Sequence, residues 1–264
     1  MKILLCASLL LSSLSTAAQA QDIKTLFDRR SEIVQPTPPI INPYNYMLDV
    51  MFAGKEGKDI VPPFTAKLLI NPAAEGEARA TVLSTSSDDY NDEFKEMLAE
   101  IQEQTIEEFT DEFWCGVQTD ASLDGGAFTS ADFTVLRETE TEALVRPNPQ
   151  RLQEIFMAQE NVSDMSKGEL KLMRKMIKRL DGEMTFSKPD LLPVHLKMWM
   201  TEPMTVKVIA KIKNMEMEQS CAYAPNGFPY VERLSMDMQI KALGIKFEQM
   251  MGVRVSELTL RNKF

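Results

Sequence analysis

The chain has 264 residues, 44% of them hydrophobic, and a formal net charge of −10. That acidity excludes a nucleic-acid binder of the ordinary kind, because phosphates demand a basic footprint. A single histidine and three cysteines leave a transition-metal centre short of ligands.

Residues 1–20 have the form of an export signal. Lys2 gives the positive start, Ile3 to Leu14 the apolar stretch, and Ala18-Gln19-Ala20 a small-x-small site for cleavage after Ala20. The apolar stretch is shorter than the ~20 residues that cross a bilayer. The expected location is the bacterial periplasm, with no transmembrane segment in the mature chain. Removing Lys2 with the signal takes the net charge from −10 to −11.

Residues 21–43 are expected to form an arm, with a short helix over Gln21–Ile33 and an extended linker at Pro36, Pro38, Pro39 and Pro43. One domain, 44–264, follows. Its first strands are expected at Tyr44–Phe52, Phe64–Ile70 and Arg79–Ser84. Asp88–Trp114 has apolar residues at helical spacing, from Phe94 through Leu98 and Ile101 to Phe113. From Asp88 to Gly116 this segment has eleven acidic residues against Lys95 alone.

Asp120, Ser122, Asp124 and Gly125 spell the beginning of a calcium loop. Its twelfth position is Ala131 rather than the bidentate Glu, so a flexible acidic loop explains the same residues. A hairpin is expected at Phe133–Leu136 and Ala143–Arg146, and a short helix from Pro149 to Gln159. A basic amphipathic helix follows at Lys167–Leu180. Asn161-Val162-Ser163 matches a glycosylation sequon, which an exported bacterial chain leaves unused.

Beyond Gly182 the pattern changes to a period of two. Val194, Leu196, Met198 and Met200 alternate with His195 and Lys197, and Leu234, Met236, Met238 and Ile240 alternate with Asp237 and Gln239. Alternate residues of a strand point to opposite faces, so these runs build a sheet with one apolar and one wet face. Strands are expected at Glu183–Ser187, Val194–Met200, Val206–Lys213, Met215–Tyr223, Tyr230–Ala242 and Ile245–Leu258. The short gaps between them require antiparallel pairing.

The expected fold class is therefore α+β: a curved antiparallel sheet, an open half-barrel of about eleven strands, with mid-chain helices packing on its concave face. Cys115 and Cys221 remain after export, and an even pair in an oxidising compartment reads as a disulfide. His195 shares the parity of the polar face, and no G-x-S-x-G elbow accompanies it, so no catalytic residue is assigned. No metal site and no cofactor are expected.

The motifs Gly182-Glu183-Met184-Thr185-Phe186, Leu192-Pro193-Val194-His195-Leu196 and Ala224-Pro225-Asn226-Gly227-Phe228-Pro229-Tyr230, with Asn71-Pro72 to Arg79, carry a resemblance. The chain resembles exported bacterial members of the periplasmic lipoprotein-carrier (outer-membrane lipoprotein-sorting) superfamily. That resemblance implies a half-barrel whose apolar face, lidded by helices, holds acyl chains or another lipid. It transfers no individual site residue.

The functional expectation is a non-enzymatic exported protein that binds an apolar ligand on a methionine-rich face. Val194, Leu196, Met198, Met200, Met236 and Met238 are the residues expected to line it. Flexible, polarisable thioethers suit apolar partners of varied shape, and equally suit an ordinary closed core. The alternative function is a cell-envelope scaffold whose acidic helix, through Glu100, Glu103, Glu107 and Glu108, binds a basic partner protein.

Overall fold

A computed structural model describes residues 22–29, 44–74, 78, 80–86, 129–151, 166–188, 191–207, 210–224 and 229–260. The expected acidic helix, the calcium-like loop and Cys115 lie outside them.

The described chain forms α1 (Ile23–Asp28), β1 (Tyr44–Glu56), β2 (Asp59–Ile70), β3 (Ala80–Thr85), β4 (Phe133–Glu138) and β5 (Glu142–Pro147). Then follow α2 (Lys167–Ile177), β6 (Leu180–Ser187), β7 (Leu192–Met200), β8 (Met204–Lys207), β9 (Ala210–Tyr223), β10 (Pro229–Ala242) and β11 (Ile245–Leu260). All eleven strands join one sheet in the order β3-β2-β1-β11-β10-β9-β7-β6-β5-β4, with β8 paired to β9. Every pairing is antiparallel, and the sheet is open, with β3 and β4 at its ends.

The strand number, the antiparallel pairing and the open sheet agree with the sequence reading. The α+β class does not. Among the described residues the protein is mostly sheet, and its helices are few and minor: α1, α2, a 3-10 turn at Ser130–Asp132 and a helix start at 149–151. Strand length was underestimated because alternation shows only where one face is buried. Residues 59–63 of β2 are all exposed and have no periodic signal, yet Asp59, Ile60 and Val61 pair with Glu56, Lys55 and Gly54 of β1.

Two other boundaries shift for physical reasons. The expected strand Val206–Lys213 is a hairpin, because the chain turns between β8 and β9, and β9 then runs unbroken through Asn214. At the start of β7 the register slips between Thr185 and Phe186, a bulge that places Pro193 opposite Phe186. Leu191 and Pro193 are buried before the bulge, Met198 and Met200 after it, so the buried parity changes within the strand.

The apolar face carries three buried clusters. The first joins Tyr46, Leu48, Val50, Phe64, Leu68, Ile70, Val253 and Val255 across β1, β2 and β11. Burial of each such side chain contributes about 1.5–3 kcal/mol. It also pushes the Tyr46 phenol pKa up, so that ring stays neutral in neutral solution. The second cluster seats Ile23 and Phe27 of α1 against Phe133, Val145, Met184 and Phe186. Phe27 meets both Phe133 and Phe186 edge-on, with ring centroids 5.0 Å apart in each pair. Asp22 caps α1 by accepting from the Thr25 backbone N–H at 3.0 Å. The third cluster gathers Leu180, Met198, Met200 and Met204, with Leu172 and Met176 of α2 packed against it.

On the polar face, Lys197 of β7 donates to Glu216 Oε1 at 2.6 Å and Glu218 Oε1 at 2.7 Å on β9. Beside them Arg146 donates to Glu183 at 2.8 Å and lies 5.8 Å from the Trp199 ring centre. The Lys197 ammonium holds the Glu218 carboxyl below its ordinary range, and the two carboxylates hold Lys197 above its own. Glu218 therefore contributes stability above its unfolded pKa, lost as pH falls through the lowered folded value. Lys197 contributes below its unfolded pKa, lost as pH rises through the raised one.

Two predictions follow from this packing. Lys197→Met costs about 0.5 kcal/mol near neutral pH, the group being half exposed. Below the lowered Glu218 pKa it costs nothing measurable; urea midpoints at neutral and strongly acidic pH check the difference. Gly182 lies inside β6 rather than at a turn, opposite Met198, and an added Cβ would come 3.0 Å from the Lys197 carbonyl oxygen and 3.2 Å from Met198 Cγ. Gly182→Ala is expected to destabilise by about 1–3 kcal/mol through overpacking, read from the same urea curves.

Candidate functional site

Register places the methionines in rows. Met251 of β11 lies opposite Met236 of β10, Met236 opposite Met217 of β9, and Met217 opposite Met198 of β7. Four thioether side chains thus stand side by side across four adjacent strands. Phe52 and then Phe64 continue the row beyond Met251, and Gly182 ends it beyond Met198. The missing side chain at Gly182 leaves the room that Met198 occupies. A second row runs alongside, with Met215 opposite Met238 and Met238 opposite Gln249. On the other side lie Leu196, Gln219, Leu234 and Val253.

The six sequence-expected residues divide. Met198 and Met200 are core, 5% and 7% exposed, and belong to the cluster beneath α2. Leu196 is half-buried and touches both the second and third clusters. Val194 sits at the β7 bulge, half-buried. Met236 and Met238 are half-buried on β10 and belong to none of the three clusters. Met198 and Met236 share a row but lie two strand spacings apart, ~10 Å.

Sequence reasoning omitted Met217, Met215 and Met251 from the site. Met215 and Met217 share the period-two parity of β9, so pairing β9 between β7 and β10 would have found them. Met251 is adjacent to Met250, and two consecutive methionines give no parity; only the register turns Met251 to the apolar face. The resulting patch, Met215, Met217, Met236, Met238 and Met251, is half-buried throughout and flanked by fully buried neighbours such as Val253. Within it Met215 and Met217 pack against the third cluster, whereas Met236, Met238 and Met251 join none of the three.

The opposite face is a different chemistry. His195 is half-buried there, opposite Ser220 and Thr185. A groove of about 820 Å³ crosses this face, floored by Asp49, Gly252, Arg254, Arg233 and Ser220. Arg233 and Arg254 lie directly opposite each other on β10 and β11. Asp49 accepts from the Ser256 hydroxyl at 3.1 Å and lies 3.6 Å from Lys67. No group of three His, Cys, Asp or Glu suited to a metal ion occurs among the described residues. Asp120, Ser122 and Asp124, and the acidic stretch with Glu100, Glu103, Glu107 and Glu108, fall outside them. Cys221 is half-buried on β9 opposite Val231, at the edge of the first cluster; the other cysteine of the expected pair, Cys115, is not among the described residues.

Among the described residues no helix is long and apolar enough to cross a membrane. No protein-family model matches the chain, and no curated protein matches it. One solved structure similar to it is the crystal structure of a LolA superfamily protein from Nitrosomonas europaea. The alignment covers 92% of this chain and 94% of that one, at 8% identity and a TM-score of 0.26. Values that low assign this chain neither a family nor any residue role.

Proposed function

We propose that this chain is an exported, non-enzymatic protein of the bacterial periplasm that holds an apolar ligand, a lipid or an acyl chain, against the methionine rows of its sheet. One observation carries the reading. Met236, Met238 and Met251 sit on the apolar face, half-exposed, and pack into none of its three buried clusters. A methionine retains several rotamers at little cost, so adjacent thioethers adapt to a chain of variable shape where branched residues would not.

The signal form of residues 1–20 supports the compartment, where a lipid in transit through water needs such cover. In this reading 21–43 is an arm, 44–264 a single sheet domain, and Cys115–Cys221 a disulfide contributing about 2–4 kcal/mol. The ligand touches Leu196 and Val194 at one side and Met236 and Met238 at the other, with Met198 and Met200 forming the buried floor.

Native mass spectrometry of the mature protein, purified from its own periplasm, is expected to show a bound lipid that organic solvent releases. Met236→Asp with Met238→Asp places two charges on the face, and is expected to lower the lipid-to-protein ratio at least about tenfold while circular dichroism stays unchanged. A wild-type protein that carries no lipid, and that binds no added fluorescent fatty acid, sinks the proposal.

A further inference from the structure

At one end of the sheet several strand connections lie side by side. β1 turns into β2 at Gly57 and Lys58, and β10 turns into β11 at Leu243 and Gly244. Because β1 pairs with β11, these two tips touch: the Gly57 N–H donates to the Lys246 carbonyl at 2.7 Å. The pairing of Ala242 with Ala210 brings the start of β9 to the same end.

The tips carry apolar side chains into solvent. Ile60 is 77% exposed, Leu243 75%, Val61 50% and Ile245 43%. Leu243 is also in an unusual conformation for its type. Its φ is 51° and that of Gly244 is 88°, the two positive values of a tight hairpin turn. Asn-Gly or Asp-Gly is the ordinary choice there, because a β-carbon is strained in the left-handed region. A large aliphatic residue is held where it costs the turn, with three-quarters of its surface in solvent.

The surrounding charge is the reverse of the rest of the chain. Lys55, Lys58, Lys211, Lys213, Lys241 and Lys246 gather at this end against Glu56, Asp59 and Glu248. This occurs in a protein whose net charge is −10. Lys241 and Lys246 stand directly opposite each other on β10 and β11, and Lys246 is ion-paired to Glu248 along its own strand. Isolated aliphatic side chains ringed by lysine match a surface that is anionic at its headgroups and apolar just beneath.

We propose that this end of the sheet docks on an anionic lipid bilayer, with Leu243 and Ile60 entering the headgroup boundary and the lysines facing lipid phosphates. The inference stands on the tips and does not rest on the methionine rows holding a ligand.

Flotation of the mature full-length protein with phosphatidylglycerol-containing vesicles tests it, with pure phosphatidylcholine vesicles as the comparison. The wild type is expected to float with the anionic vesicles at low salt, to release at high salt, and to ignore the neutral ones. Each of Lys58→Gln and Lys241→Gln is expected to weaken partitioning about fivefold. Leu243→Asn is the sharper variant. It relieves the turn, so Tm rises, while vesicle partitioning falls about tenfold through loss of the inserted side chain. Absence of flotation with anionic vesicles, equal binding to neutral vesicles, or unchanged binding by Leu243→Asn overturns the proposal. The lipid content of these tip variants stays at the wild-type value if the two readings are independent, so failure at the tips is distinguishable from failure at the methionine rows.

Discussion

The parity of side chains across ten laterally paired strands is the constraint on which this structure depends. A strand offers only two faces, and a slip of one residue exchanges them. For one face to be apolar from Ala80 on β3 to Phe133 on β4, every neighbouring pair must agree in register. Bulges are how the chain preserves that agreement where the sequence does not alternate cleanly. The slip between Val231 and Arg233 lets Val231 and Leu234 both join the same cluster, although they are three residues apart. The slip at the start of β7 does the same for Pro193 and Leu196. Without these insertions the clusters on either side of β7 and β10 could not lie on one surface.

The sequence displayed this constraint unevenly. β10 was legible nearly to the residue, because Leu234, Met236, Met238 and Ile240 sit on one face while Asp237, Gln239 and Lys241 face water. β2 was legible only from Phe64, since the Ile60-Val61-Pro62-Pro63 stretch is exposed and owes its extended form to pairing with β1. Pro62 and Pro63 lack the N–H that would extend the sheet, which also blunts this edge against pairing with another chain. The strand content was underestimated for the same reason. A helical period of apolar residues is visible in a single segment, whereas a strand with both faces wet is visible only through its partner. The site was legible in kind, as methionines of one parity, and not in membership, because adjacency in a sheet is set by strand order and the chain places β11 between β1 and β10.

Strand order also explains why the methionines are a patch rather than a scatter. Met198, Met217, Met236 and Met251 come from four strands spanning more than fifty residues of sequence, and only the β7-β9-β10-β11 neighbourhood brings them into one row. Toward β1 the row passes to Phe52 and Phe64, and the face there is built from valine, leucine and isoleucine, with stiff, well-defined packing. Toward β6 it ends at Gly182, where Met198 fills the space of a missing side chain. The half-buried methionines therefore occupy the stretch between two closed clusters, one built largely of branched residues and the other itself rich in methionine.

The same order links this patch to the lysine-ringed end. From Met217 and Met236 the apolar face steps along β9 and β10 to Met215 and Met238, then across the bulge to Ile212 and Ile240, opposite Phe247. Beyond Ile240 lie only Lys241, Ala242 and the Leu243-Gly244 turn. The apolar parity thus continues from the middle of the sheet toward the residues that protrude from its end, with Lys213 in the bulge and Glu56 opposite Phe247 bordering it. On a bilayer, with that end down, this face would lead from the headgroup boundary upward to the half-open methionines. The two halves of the sheet can then divide the work: the flanks give stability, and the strip between them stays adaptable without weakening them.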